Sequence, residues 1–118
     1  MGMADALQGV IDDLDEARGA ALVGMDGIVV EERKHDGQLD LQALGAEFSG
    51  LLRTAGKLGD SVGFGGILEL VTSAERSVVV LRQVTAEYFL ILVIQADGNL
   101  GKARFLLRRA GAQLKTEL

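Results

Sequence analysis

Gln95 to Phe105 reads QADGNLGKARF, the stretch of this chain whose residue types and spacing come nearest to phosphate chemistry. An apolar run precedes it and helical spacing follows, so strand, glycine turn, Gly-Lys and helix stand in the order of a phosphate-binding loop. That chemistry needs GxxxxGK followed by Ser or Thr. The glycines let backbone amides reach the phosphates, the lysine neutralises them, and the hydroxyl holds magnesium. Here Ala96 stands at the first glycine and Ala103 at the hydroxyl. Only residues 104–118 follow, too few for another parallel strand bearing a magnesium-binding acid. We therefore expect no directly bound nucleotide. Instead Asp97-Gly98 should make a turn, Asn99 should cap a helix, and Gly101 should let that helix approach a neighbour closely.

The other reactive groups are sparse. His35 is the single histidine and sits beside Asp36 in a polar loop, where an exposed imidazole is expected to be a loop residue rather than a ligand or base. Asp12, Asp13, Asp15 and Glu16 could suggest calcium, but helical placement does not converge them as a liganding loop would. They are expected to form a solvated face, turned toward the basic last helix. Ser49, Ser61, Ser73 and Ser77 have no candidate base near them in sequence, and cysteine is absent. No catalytic, cofactor or metal site is expected, and the chain is not expected to be an enzyme.

The elements that would position any site follow from composition and periodicity. The length of 118 residues, with 48% hydrophobic and 25% charged residues, suits one domain over residues 1–118. A net charge of -5 argues against nucleic acid. The longest apolar run, Tyr88 to Ile94, is far short of the roughly 20 residues of a membrane helix, so no membrane insertion is expected. Met1-Gly2 lacks the Ser or Thr at position 6 of an acylation signal, having Ala6 there. With no basic start leading into an apolar stretch and no cysteine, the expected location is the cytoplasm.

Met3, Leu7, Val10, Ile11, Leu14 and Ala17 recur at helical spacing, with a stop expected at Gly19. GAALVGM and IVVEERK flank Asp26-Gly27, which predicts a hairpin with a two-residue turn. Asp40 reads as the N-cap of a second helix, with Leu39 and Leu44 placed to pack across it. Its stripe of Leu41, Leu44, Phe48, Leu51, Leu52, Ala55 and Leu58 is expected to face the core, and Gly59 to end it. GFGGILELVTSAE and SVVVLRQVTA read as long strands. YFLILVIQ is apolar on both faces and so belongs centrally between helical layers. A last helix buries Leu100, Ala103, Leu107, Ala110 and Leu114 and keeps Lys102, Arg104, Arg108, Arg109 and Lys115 mostly wet. The order is helix, two strands, helix, three strands, helix: an α+β arrangement with a largely antiparallel sheet.

Ala43, Gly45, Ala46, Ser49, Gly50 and Gly56 make the second helix rich in small residues, and each interior glycine costs roughly 1 kcal/mol relative to alanine. They either let the helix sit tightly on its own sheet or let it pack against its copy in a second subunit. The third strand would be a long apolar edge, which invites pairing with another chain. Both features predict a homodimer, with Ala46, Ser49, Gly50, Ile67, Glu69 and Val71 at its interface.

GAALVGMDGIVVEE, LGAEFSGLLRTAGKLG and FLILVIQADGNLGKARFLLRRAGAQL together resemble the roadblock/dynein light chain family over nearly the whole chain. The compact form with an acidic first helix is most similar to its bacterial MglB-type members. The resemblance implies a five-stranded, mostly antiparallel sheet with the middle helix on one face and the terminal helices on the other, and makes Leu100-Gly101 a packing feature. It also implies a homodimer that binds a small Ras-like GTPase and modulates its nucleotide cycle, often as an activator. The paired middle helices would form the platform, with Gln42, Glu47, Arg53, Thr54 and Lys57 at its wet positions. Activation would come from repositioning the GTPase's own groups rather than from an inserted arginine. The family's scaffolding members share the fold without that activity, so a non-regulatory adaptor dimer bridging motor, kinase or other complexes stays open.

Overall fold

The computed structural model describes residues 2–118. Met1, at which the domain reading and the acylation reading both begin, lies outside them. Helix α1 spans Met3–Asp13, strands β1 Ala17–Gly24 and β2 Val29–Lys34 follow, then helix α2 Leu41–Ser61. Strands β3 Glu69–Ser73, β4 Ser77–Gln83 and β5 Tyr88–Gln95 precede helix α3 Leu100–Lys115. The sheet runs β2-β1-β5-β4-β3, and every neighbouring pair is antiparallel. As expected, β5 is central, and Phe89 through Ile94 are buried because both faces are covered.

Alternation along the strands divides the core into two layers. Leu22, Val80, Leu90 and Leu92 pack with Leu7, Ile11, Leu107 and Leu114 beneath α1 and α3. Ala21, Val23, Leu81, Phe89 and Ile91 pack with Leu39, Leu41 and Leu52 of the α2 side. This is the expected α+β fold, with the middle helix on one face and the terminal helices on the other.

Several boundaries differ from the sequence reading. Helix α1 ends at Asp13 rather than running to Gly19, because Ala17 already pairs with Ile94 in the sheet. Ala17 fits a buried helical position and a buried strand position equally well, so periodicity alone could not separate them. The β1–β2 connection is a three-residue loop, not a two-residue turn: Gly24 N–H donates to Ile28 O at 2.9 Å, and Gly27 N–H to Gly24 O at 2.8 Å. Gly27 takes φ 88° there, which is why glycine stands at that position.

Helix α2 does not stop at Gly59. Its end is a Schellman motif around Gly63, at φ 76°, with Phe64 N–H donating to Gly59 O at 2.8 Å and Gly63 N–H to Asp60 O at 3.2 Å. Gly59 serves a different purpose, since a Cβ there would lie 2.4 Å from Gly65 O. The third strand is also shorter than expected, because residues 63–66 form the helix-to-strand loop and ladder pairing begins at Glu69. In α3 Leu100 is exposed, and Leu106 and Gly111 are buried instead.

Candidate functional site

Helix α2 is held at its start by Asp40, whose Oδ1 accepts from Ala43 N–H at 3.0 Å. Leu39 and Leu44, on either side of the cap, both belong to the core layer under the helix. The helix lies chiefly over β1 and β2. A Cβ on Gly45 would stand 3.1 Å from Val23 Cγ1 and 3.3 Å from Val29 Cγ2. A Cβ on Gly27 would meet Ala46 Cα at 3.2 Å and Ser49 Oγ at 3.1 Å. Gly45 therefore seats the helix on its own sheet, and Gly27 seats the hairpin on the helix.

Ser49 belongs to this inner side. It is 1% exposed, and its hydroxyl donates to Ala46 O at 2.8 Å. Expected at a dimer interface, it instead has no surface to offer a second copy. Glu69 is also committed within the chain: its Oε2 accepts from Arg104 Nη2 at 2.6 Å, and that contact holds the carboxyl below the ordinary glutamate range. Ala46 and Gly50 keep outward positions, and no neighbour packs on Gly50 beyond Arg53 Nη2 at 3.8 Å. Ile67 packs with the α2 layer, while Val71 pairs with Val80 and so lies on the opposite face of the edge strand. The two do not form one stripe, because the chain enters β3 irregularly at Leu68.

The outward side of α2 carries Gln42, Glu47, Arg53, Thr54 and Lys57, all exposed. Thr54 Oγ1 donates back to Gly50 O at 3.1 Å, as hydroxyls within helices commonly do. Arg53 Nη1 donates to Met25 O on the β1–β2 loop, so its guanidinium is tethered to its own chain. Two cations and one carboxylate among small residues can make rim contacts but carry no nucleophile–base pair.

One flank of α2, expected to face the core, lies open. Leu44, Phe48, Leu51, Ala55, Leu58 and Val62 recur at alternating spacings of four and three, yet Leu51 is 45% exposed, Leu58 62% and Val62 58%. Beyond the helix, Phe64 and Leu68 are more exposed still. The buried line is Leu41, Gly45, Ser49, Leu52 and Gly59. Both lines recur at spacings of three and four, so period alone could not tell the side of the helix that packs inward from the side that stays open.

The start of α3 explains the phosphate-like stretch. Asn99 Oδ1 accepts from Lys102 N–H at 3.0 Å, as expected of a cap, while Asn99 N–H donates to Glu16 Oε1 at 2.8 Å. That second bond leads the causes that hold the Glu16 carboxyl below its usual range. Two amides a phosphate would use are thus engaged by side chains of the protein. Close approach occurs at Gly98, where a Cβ would stand 3.0 Å from Glu16 Cβ, and not at Gly101, which only the Asn99 side chain nears. Asp13 pairs with Arg109 at 3.0 Å, linking the acidic first helix to the basic last one. Among the described residues, no three His, Asp or Glu side chains converge as a metal site would require. No helix among them is long and apolar enough to cross a membrane.

No protein-family model matches this sequence, and no curated protein does. Solved structures do. MglB of Myxococcus xanthus superposes with a TM-score of 0.88 at 16% identity, covering 98% of this chain and 93% of that one. A roadblock/LC7 domain from Streptomyces avermitilis gives 0.87 at 14%, covering 97% and 95%. At these identities the likeness is one of fold. MglC of Myxococcus xanthus is 31% identical with the whole of each chain covered, at a TM-score of 0.71. Fold, full-length coverage and that identity, together with the arrangement of α2 against the β1–β2 hairpin, place the chain in the roadblock family.

Proposed function

We propose that this protein acts in the cytoplasm as a homodimer whose paired α2 helices present a platform to a small Ras-like GTPase and modulate its nucleotide cycle, most directly by activating hydrolysis. The observation that carries the reading is the exposed apolar flank of Leu51, Leu58 and Val62, continued by Phe64 beyond the helix. Exposed large apolar side chains in a row along a helix mark a contact surface, and a second copy supplies a matching one. The unpaired edge of β3 offers backbone groups to a second copy as well.

With this flank in the joint, the face of Gln42, Glu47, Arg53, Thr54 and Lys57 stays open to a third molecule. Arg53 is tied to Met25 O, so acceleration in this reading comes from reordering the GTPase's own groups, and the chain contributes no catalytic residue, cofactor or bound nucleotide of its own. The tether equally suits a second reading, an adaptor dimer that holds partners without touching any nucleotide cycle.

A turnover assay with a candidate Ras-like GTPase from the neighbouring genes, with and without this protein, tests the choice. Regulation predicts faster turnover and preference for the GTP form, whose switch segments are ordered by the γ-phosphate. Charge reversal at Arg53 and Lys57 should slow encounter and leave the dimer intact. Equal affinity for both nucleotide states with unchanged turnover leaves the adaptor.

A further inference from the structure

On the face of the sheet opposite α2, Arg82 of β4 and Arg108 and Lys115 of α3 border one groove of about 290 Å³, with Leu68, Val84 and Gly111 among its other walls. Among the described residues the four ion pairs engage Arg18, Arg33, Arg104 and Arg109, and none of these three cations. The chain has 17 acidic residues against 12 lysines and arginines, so three neighbouring cations with none in an ion pair are a local departure from its composition. One carboxylate, Glu69, feels Arg82 and Arg108 through space, but its hydrogen bonds go to Arg104, so the row keeps a net positive charge. Like charges around a trough raise its potential and select an anionic occupant.

The spacing indicates its shape. Arg108 and Lys115 lie two turns apart on one side of α3, about 10 Å along the axis. Arg82 stands between them, since a Cβ on Gly111 would lie 3.7 Å from Arg82 Cγ. Cations in a row do not converge on a single phosphate. Arg82 is half-buried in the wall of the trough, out of reach of a flat lipid surface. An extended polyproline-II-like chain, by contrast, turns residues i and i+3 to the same side about 9 Å apart.

We propose that this groove receives an extended acidic segment of a partner protein, with two carboxylates three residues apart for Arg108 and Lys115, and an apolar residue between them against Val84 and Leu68. The site lies across the sheet from the α2 platform, so the proposal does not depend on the GTPase reading.

The test is fluorescence anisotropy with a short labelled peptide whose aspartates stand three residues apart around Leu-Pro, beside the same peptide with asparagines. Arg108→Glu with Lys115→Glu alters two exposed side chains, and circular dichroism confirms that the fold persists. We expect saturable, salt-sensitive binding of the acidic peptide, weakened about tenfold or more by the double reversal and unchanged by Lys57→Glu. Absence of binding, equal binding of the asparagine peptide, or insensitivity to the double reversal overturns the proposal. So does full competition by inorganic phosphate, which makes the groove a simple anion site. Binding of phosphatidylserine vesicles in place of the peptide assigns it to lipid. A change in sedimentation of the double variant assigns it to the contact between copies.

Discussion

The two faces of this sheet are finished differently. Beneath α1 and α3, nineteen buried residues form the core and two more are partly wet. Beneath α2 ten are buried and six are partly wet, including Leu44, Phe48, Ile67 and Leu70. The first face is covered by two helices that also contact one another, whereas the second has one helix set over β1 and β2. The strands themselves are equally apolar toward both sides, so the difference lies in cover. One face has its core completed within the chain. The other exposes Leu51, Leu58, Val62 and Phe64 at its open border, and that is where a partner gains most by burying apolar surface.

Substitutions on the two faces should separate protomer stability from association. Leu107→Ala, under the closed face at 0% exposure, is expected to cost about 2–5 kcal/mol in denaturant unfolding, as large cavities in completed cores do. If its midpoint matched that of the wild type, the closed face would not be the stabilising one. On the open face, Leu51→Lys with Leu58→Lys should raise the dimer dissociation constant about a hundredfold. Unfolding of the separated protomer should change little, and sedimentation across concentration reads both. A wild-type mass of one chain at micromolar concentration would remove the basis for the homodimer.

Within α2 a pair of glycines sharpens the contrast. Gly59→Ala forces a Cβ against the backbone carbonyl of Gly65, which cannot swing aside, and should destabilise by about 1–3 kcal/mol. Gly56→Ala meets nothing within 4 Å, and it should stabilise by up to about 1 kcal/mol through helix propensity. Should Gly56→Ala instead weaken the dimer while the protomer gains stability, a second helix comes close at that position.

The smallest effect belongs to Glu69, which joins the edge strand to α3 across the closed face. Its pKa is depressed, first by the hydrogen bond from Arg104. Its stabilisation is therefore present above the unfolded glutamate pKa and lost as pH falls through the lower folded value. Glu69→Gln should cost under about 1 kcal/mol at neutral pH, because the arginine partner is half in water, and nothing once acid has protonated the wild type. Melts at the two pH values check this; a gap that persists in acid would exclude the ion pair as its cause.

Much of the fold was legible because it follows from local periods. The run Tyr88–Gln95 declared a strand covered on both faces, Asp40 and Asn99 declared helix starts, and Gly27 a hairpin. Among the candidate site residues, Gln42, Glu47, Arg53, Thr54 and Lys57 are exposed where the helical period puts them. Ser49 and Glu69 could not be placed this way. Their surroundings are the β1–β2 loop, met through Gly27, and Arg104, thirty-five positions away in sequence.

What the sequence determined by itself is the set of elements, their apolar sides and their caps, since these depend on neighbours within a turn or a pleat. Only the tertiary structure decided which of two competing stripes on α2 meets the sheet. Leucines make the wider apolar line, yet Gly45 allows the helix to approach Val23 and Val29 at distances no larger residue would permit. Packing therefore buries the line with the small residues and leaves Leu51 and Leu58 outward. That choice depends on how closely two elements distant in sequence can approach, which periodicity does not encode.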